Sequence, residues 1–128
     1  MKIEIKSFVG SLLFEGDFSA LSDAVQAAVK SGANLSRANL SGANLYGEII
    51  ARCERPFISV GPIGSRFDNL LAFMTEKGAR LKTGCFFGTI KEFEAKVSET
   101  HGDNNHAKEY TAALAMIRLH FDMWKEVK

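Results

Sequence analysis

The sequence predicts an α+β fold: a small antiparallel three-stranded sheet with two C-terminal helices, preceded by a strand pair, a helix and a short array of five-residue repeats. Three observations carry this. Met1 to Lys6 alternates charged and apolar residues, which is strand periodicity. From Ala33 onward, alanine recurs two places before a central leucine, every five residues. From Ile90 to the C-terminus, apolar residues recur at steps of three and four, which is helical periodicity.

In the first segment, Ile3 and Ile5 share one strand face, and Ser11 to Phe14 pairs back on it. Ser19 reads as the N-cap of a helix with Asp23 in its first turn, and Leu21, Val25, Ala28 and Val29 form the apolar stripe. Lys30-Ser31-Gly32 stops that helix. A charged joint, Arg52 to Pro56, then divides the chain into an N-terminal part (1–55) and a C-terminal part (56–128). In the second part, strands are expected over Phe57 to Val60, Leu70 to Thr75 and Ala79 to Phe86, with Gly61 to Ser65 and Asp68-Asn69 as breaks. Thr89-Ile90-Lys91-Glu92 is a capping box that opens a helix to His101. The last helix, from about His106 to Val127, carries two adjacent stripes. Tyr110, Leu114, Ile117, Phe121 and Trp124 form one, and Ala113, Met116, His120 and Met123 the other. A double stripe implies that one side packs on the chain's own sheet and the other on a second subunit, so a homo-oligomer is expected.

The pentads Ala33 to Arg37, Ala38 to Gly42 and Ala43 to Gly47, with Glu48 to Arg52 as a degraded fourth, resemble the pentapeptide-repeat family. That resemblance implies a square right-handed β-helix with the central leucine inward, here about one turn of it. One turn cannot bury its own interior, so Leu35, Leu40, Leu45 and Ile50 need cover from the first segment, the rest of the chain or another subunit.

Composition narrows the function. Sixteen basic and fifteen acidic side chains leave a net charge of +1, so no global field draws the chain to DNA or an anionic membrane. No apolar run is long enough to span a bilayer, and Cys53 and Cys85 form neither a disulfide framework nor a zinc pattern. Both are expected to be buried reduced thiols in a cytoplasmic protein. There is no P-loop, dinucleotide fingerprint or nucleophile elbow, so no cofactor is implied and an enzyme is not expected. The His101-Gly102-Asp103-Asn104-Asn105-His106 segment supplies too few ligands for a two-metal centre. It reads instead as an interhelical loop in which Asn104 or Asn105 caps a helix.

The Gly84-Cys85-Phe86-Phe87-Gly88 segment admits two readings. Either the phenylalanines are core and the glycines make a tight turn, or the turn and the new helix N-terminus receive a flat, anionic ligand. Arg80 and Lys82 fall on one face of the third strand beside Phe86, and Arg66 follows a glycine-flanked break. Guanidinium groups grip phosphate and an aromatic face stacks on a base. A solvated strand face is the plainer alternative.

Gly64-Ser65-Arg66, Thr83 to Phe93 and His101-Gly102 resemble small bacteriophage proteins of the Thoeris anti-defence sponge family, of the first-described type. The resemblance implies an oligomer that binds a cyclic ADP-ribose isomer, and in some members cyclic oligonucleotides, without degrading it. It further implies Phe86 as the stacking residue, Arg66 as a phosphate contact and Asn104 or Asn105 as a polar contact. Arg80 and Lys82 join this set from strand geometry alone. The competing expectation is a non-catalytic pentapeptide-repeat protein that docks a host protein.

Overall fold

The computed structural model describes residues 1–124 except Phe8, residues 32–34, Ser36, Arg37, Ser41, Tyr46, Glu54, Arg66 and Cys85; for Ser22 and Lys30 it describes the backbone alone. The expectations for Gly32 as a helix stop, for Cys85 as a buried thiol and for the last helix beyond Trp124 lie outside the described residues.

Among the described residues the chain is α+β, with three helices and antiparallel sheets. Strand β1 (Lys2–Lys6) pairs with β2 (Leu12–Asp17), and α1 (Leu21–Lys30) follows. Ala20 is the N-cap of α1 and makes no side-chain cap bond, whereas Ser19 Oγ reaches only Asp23, at 3.3 Å. The expected Ser19 cap is therefore displaced by one residue, and its hydroxyl bonds a side chain in place of a backbone N–H. Ala24, Val25 and Ala28 form the buried face of α1.

The pentad segment contributes a two-stranded hairpin, β3 (Asn44–Leu45) with β4 (Glu48–Ile49), and single antiparallel bridges from Ala38 to Ser7 and from Ile50 to Thr75. Its central residues Leu35, Leu40, Leu45 and Ile50 are all buried, in one cluster with Ile5, the α1 face, Leu71 and Phe73. Cover comes from the first segment and from the C-terminal sheet. Backbone bonds tie both ends of the coil: Asn39 N–H donates to the Lys6 carbonyl at 2.7 Å, and Ala51 N–H to that of Met74 at 2.8 Å.

The C-terminal sheet has four strands, not the three expected, in the order β5 (Phe57–Ile63), β6 (Asp68–Thr75), β7 (Gly78–Thr83), β8 (Phe86–Gly88). The stretch expected as one strand from Ala79 to Phe86 is a hairpin. Gly84 takes φ +52° and Thr83 pairs directly with Phe86. The Asp68-Asn69 break belongs to β6, and β5 runs on to Ile63 through a register shift after Val60. Helix α2 (Ile90–His101) starts at a complete Thr89–Glu92 capping box. Helix α3 (Asn105–Trp124) follows after a short turn.

Both helices lie on one face of this sheet. Phe93, Tyr110, Ala113, Leu114, Ile117 and Phe121 pack with Leu70, Ala72 and Leu81. The pentad coil and α1 cover the other face through Leu71 and Phe73. Of the two stripes expected on α3, the first is core up to Phe121, and the Arg55 guanidinium lies 4.2 Å from the ring centroid of Trp124. The second stripe splits: Ala113 is buried, His120 reaches the Arg55 carbonyl, and Met116 and Met123 are exposed beside Leu119.

Two outcomes test this packing. Leu45→Ala, at a site with no solvent exposure, is expected to cost about 2–5 kcal/mol in denaturant unfolding, the range for a cavity in a packed core. A repeat coil peripheral to the fold would lose almost nothing. The Glu92 carboxyl is held below its ordinary value chiefly by the Thr89 N–H and hydroxyl, with the Arg80 charge a smaller pull. A carboxylate depressed in the folded state stabilises in full above its unfolded value and loses that contribution as pH falls through the folded value. Glu92→Gln should therefore flatten the decline of stability between pH about 5 and about 3; superimposable acid limbs would refute the cap's role.

Candidate functional site

An open cleft of about 560 Å³ lies between the β7–β8 hairpin, α2 and the start of α3. Its size is within the range of small-molecule sites. Phe86, Phe93 and Tyr110 supply a chain of ring contacts: Phe86 and Phe93 centroids are 5.3 Å apart, and Phe93 meets Tyr110 edge-on at 5.2 Å. Helix α2 presents Phe93, Val97, Lys96, Thr100 and His101 to the cleft. This is one helical face, at spacings of three and four. The β5–β6 turn contributes Ser65, whose Oγ lies 3.3 Å from His101 Nε2. The His101 ring stacks on Tyr110 at 6.1 Å and stands 5.3 Å from His106.

The turn that carries Ser65 is fixed against α3 by its neighbour. Gly64 has φ +77°, and a β-carbon there would overlap the hydroxyl and ring of Tyr110. The Gly64 N–H donates to Glu109 Oε1. A residue other than glycine would push the turn off α3 and open that side of the cleft.

Of the residues expected to form a site, Phe86 lines the cleft. Arg80 and Lys82 do not. Directly paired strand residues share a face, so Arg80, opposite Phe73, and Lys82, opposite Leu71, belong to the face covered by the pentad coil. Phe86, opposite Thr83, belongs to the helix face with Leu81. Reading 79–86 as one strand put all three side chains on one face; the two-residue turn reverses the parity. Arg80 is bound bidentately to Glu48, with N···O distances of 2.7 and 2.9 Å, and Lys82 is buried with its Nζ 2.6 Å from the Gly84 carbonyl. Asn104 caps α3, its Oδ1 accepting from Ala107 N–H at 3.0 Å, and Asn105 is the exposed first residue of that helix. Neither is among the residues lining the cleft. Arg66 lies outside the described residues.

The helix N-terminus expected to receive an anion is occupied in part by the chain's own capping box. Thr89 N–H donates to Glu92 Oε1 at 2.8 Å, and Glu92 N–H to the Thr89 hydroxyl at 3.1 Å. The space over Gly88 is taken by the chain's own Phe86 ring and Glu92 carboxylate. The cleft instead uses the middle and end of α2. The sequence signal for it was the row of Lys96 and Thr100 beside Phe93 and Val97, which reads from sequence as an ordinary amphipathic boundary.

Away from the cleft, Cys53 is a buried free thiol whose pKa burial pushes up, which makes it a poor nucleophile. Among the described residues no group of three or more His, Cys, Asp or Glu side chains is placed to hold a metal ion, and no helix is long and apolar enough to cross a membrane.

Comparison with known proteins yields one match: the family model of pentapeptide repeats (8 copies) aligns with residues 31–47. That short stretch supports a protein-interaction module and includes the first three pentads. No curated protein and no solved structure matches the chain, so the sponge-family resemblance of the C-terminal half gains no support from them.

Arg80→Ala should act on stability and leave ligand affinity alone. Its pair with Glu48 is mostly buried, each side chain being 16 % exposed. Its loss is expected to cost about 1–3 kcal/mol, between the values for surface and fully buried pairs. Thermal unfolding with and without a cleft ligand separates the two effects; a selective loss of the ligand-induced shift would return Arg80 to the site.

Proposed function

We propose that this chain is a non-catalytic binding protein that sequesters a nucleotide-type immune signal, a cyclic ADP-ribose isomer or a related cyclic nucleotide, as a phage anti-defence protein in the host cytoplasm. The observation that supports binding is the cleft itself: about 560 Å³, walled by Phe86, Phe93 and Tyr110 and edged by hydroxyls and a lysine. A ring can stack on the aromatic wall while polar groups fix its substituents. The ligand class comes from the resemblance of Thr83 to Phe93 and its flanking residues to the sponge family. Sequestration needs affinity and abundance, and each tenfold gain in affinity takes about 1.4 kcal/mol. The chain works as a homo-oligomer, with Met116, Leu119 and Met123 as the apolar row on α3 that a second copy covers.

The second reading is a repeat that docks a host protein, favoured by the match over residues 31–47. Its central leucines face the chain's own core, so a partner meets only the outer side, where Asn39 and Asn44 are exposed at equivalent positions of successive pentads. Asn39→Lys would disrupt function under this reading and leave cleft affinity unchanged.

Calorimetry with cyclic ADP-ribose isomers and cyclic di- and trinucleotides, followed by mass spectrometry of ligand released on denaturation, tests the first reading. Tight binding with intact recovery is expected. Phe86→Leu, which keeps apolar bulk and removes the ring, should weaken binding by about tenfold or more. A cleaved product would make the protein an enzyme, and an absence of binding across the panel would shift the weight to the repeat.

A further inference from the structure

The cleft carries an unbalanced charge. Lys96 lines it, no carboxylate appears among the described lining residues, and no ion pair engages Lys96 among the described residues. Of the other basic groups considered for ligand binding, Arg80 is spent on Glu48 and Lys82 on a backbone carbonyl, and Arg66 lies outside the described residues. Thr100 stands one helical turn from Lys96 on the same face of α2, and both line the cleft. His101 follows at the end of the helix, with Ser65 Oγ 3.3 Å from its Nε2 and Tyr110 stacked on its ring.

We infer that Lys96, together with Thr100, Ser65 and His101, grips one phosphoryl group of the cleft's ligand. This deepens the nucleotide reading of the cleft and rests on it. An ammonium is a compact point charge with three rotatable donors, suited to a tetrahedral oxyanion, and hydroxyls and an imidazole add short-range donors around it. Ser65, Lys96 and Thr100 are exposed and His101 is half-buried, so the grip draws on charge-assisted hydrogen bonding at the cleft's open side. The same geometry limits the grip to one group. Among the described residues lining the cleft there is no second lysine or arginine, so none of them offers a further phosphoryl group the same charge. Recognition is then a division of labour, with the ring on the apolar wall that includes Phe86 and a single anion on the α2 wall.

Calorimetry on the full chain with adenosine, adenosine monophosphate and adenosine diphosphate reads this directly. The monophosphate is expected to bind about tenfold or more tightly than adenosine, as a hydrogen-bonded charge implies, and the diphosphate no more tightly than the monophosphate. Lys96→Met keeps most of the aliphatic stem at an exposed position. It should erase the monophosphate's advantage and leave adenosine binding unchanged, with circular dichroism confirming the fold. Equal affinity for adenosine and its monophosphate would overturn the inference, as would an advantage that survives in Lys96→Met, while adenosine binding still upholds the nucleotide reading. A further gain with the diphosphate would overturn the limit to one group. Failure of all three compounds to bind would remove the nucleotide reading and the inference with it.

Discussion

Strand β6 has no solvent-facing side, and the rest of the molecule is arranged around that constraint. Leu70, Leu71, Ala72 and Phe73 are each fully buried. Because side chains alternate, Leu71 and Phe73 enter one core with α1 and the pentad leucines, while Leu70 and Ala72 enter another with α2 and α3. A strand apolar on both faces needs a layer on each side. The pentad coil, too short to bury its own interior, supplies one of them. Each element thus solves the other's problem: the coil gains a floor, and the sheet gains a cover that the coil and α1 supply together.

The same alternation sorts the chemistry. Side chains on β7 and β8 alternate between the coil side and the helix side, and Phe87, which packs on the coil-side core from the edge strand, also lines the cleft. On the coil side, Arg80 meets Glu48 of the fourth pentad and becomes a strut between the two layers. On the helix side, Phe86 meets Phe93 and opens onto the cleft. A charged residue under the coil cannot also serve a ligand above the helices. This is why a basic strand next to an aromatic turn does not by itself make a phosphate site.

Much of the fold was legible because it rests on local rules. The first hairpin, the three helices, the Thr89–Glu92 box and the inward leucines of the pentads all announce themselves by period or spacing. Non-local information was needed elsewhere. Lys82-Thr83-Gly84-Cys85-Phe86 reads as an uninterrupted strand until pairing shows Thr83 opposite Phe86, and a turn of two residues inverts which face every later side chain takes. For the cleft, Phe86 was visible as an aromatic beside glycine, but Lys96 and Thr100 were not distinguishable from a solvated helix edge. Only the approach of Ser65 and Tyr110 from distant segments turns that edge into a wall. Ser65 in turn depends on Gly64, whose contact with Tyr110 no sequence pattern reports.

The cleft opens on the helix side of the sheet and the repeat packs on the other, and the two cores share its strands. Strand β6 gives fully buried residues to both, while Phe57 and Phe87 of β5 and β8 adjoin the pentad core and Ile58 and Phe86 adjoin the helix core. A change at Leu71 or Phe73 would loosen the coil and the sheet together, whereas Phe86 and Lys96 lie on the helix side and Asn39 on the outer coil, each reachable without crossing β6. Packed interiors transmit strain when a shared element shifts and insulate when it does not. Phe87 is where the two sides meet, since it packs against the pentad core and also lines the cleft. Lys96 and Thr100 line the cleft from α2 and belong to neither core, so a substitution there leaves the packing between the layers in place, whereas one at Phe87 reaches both.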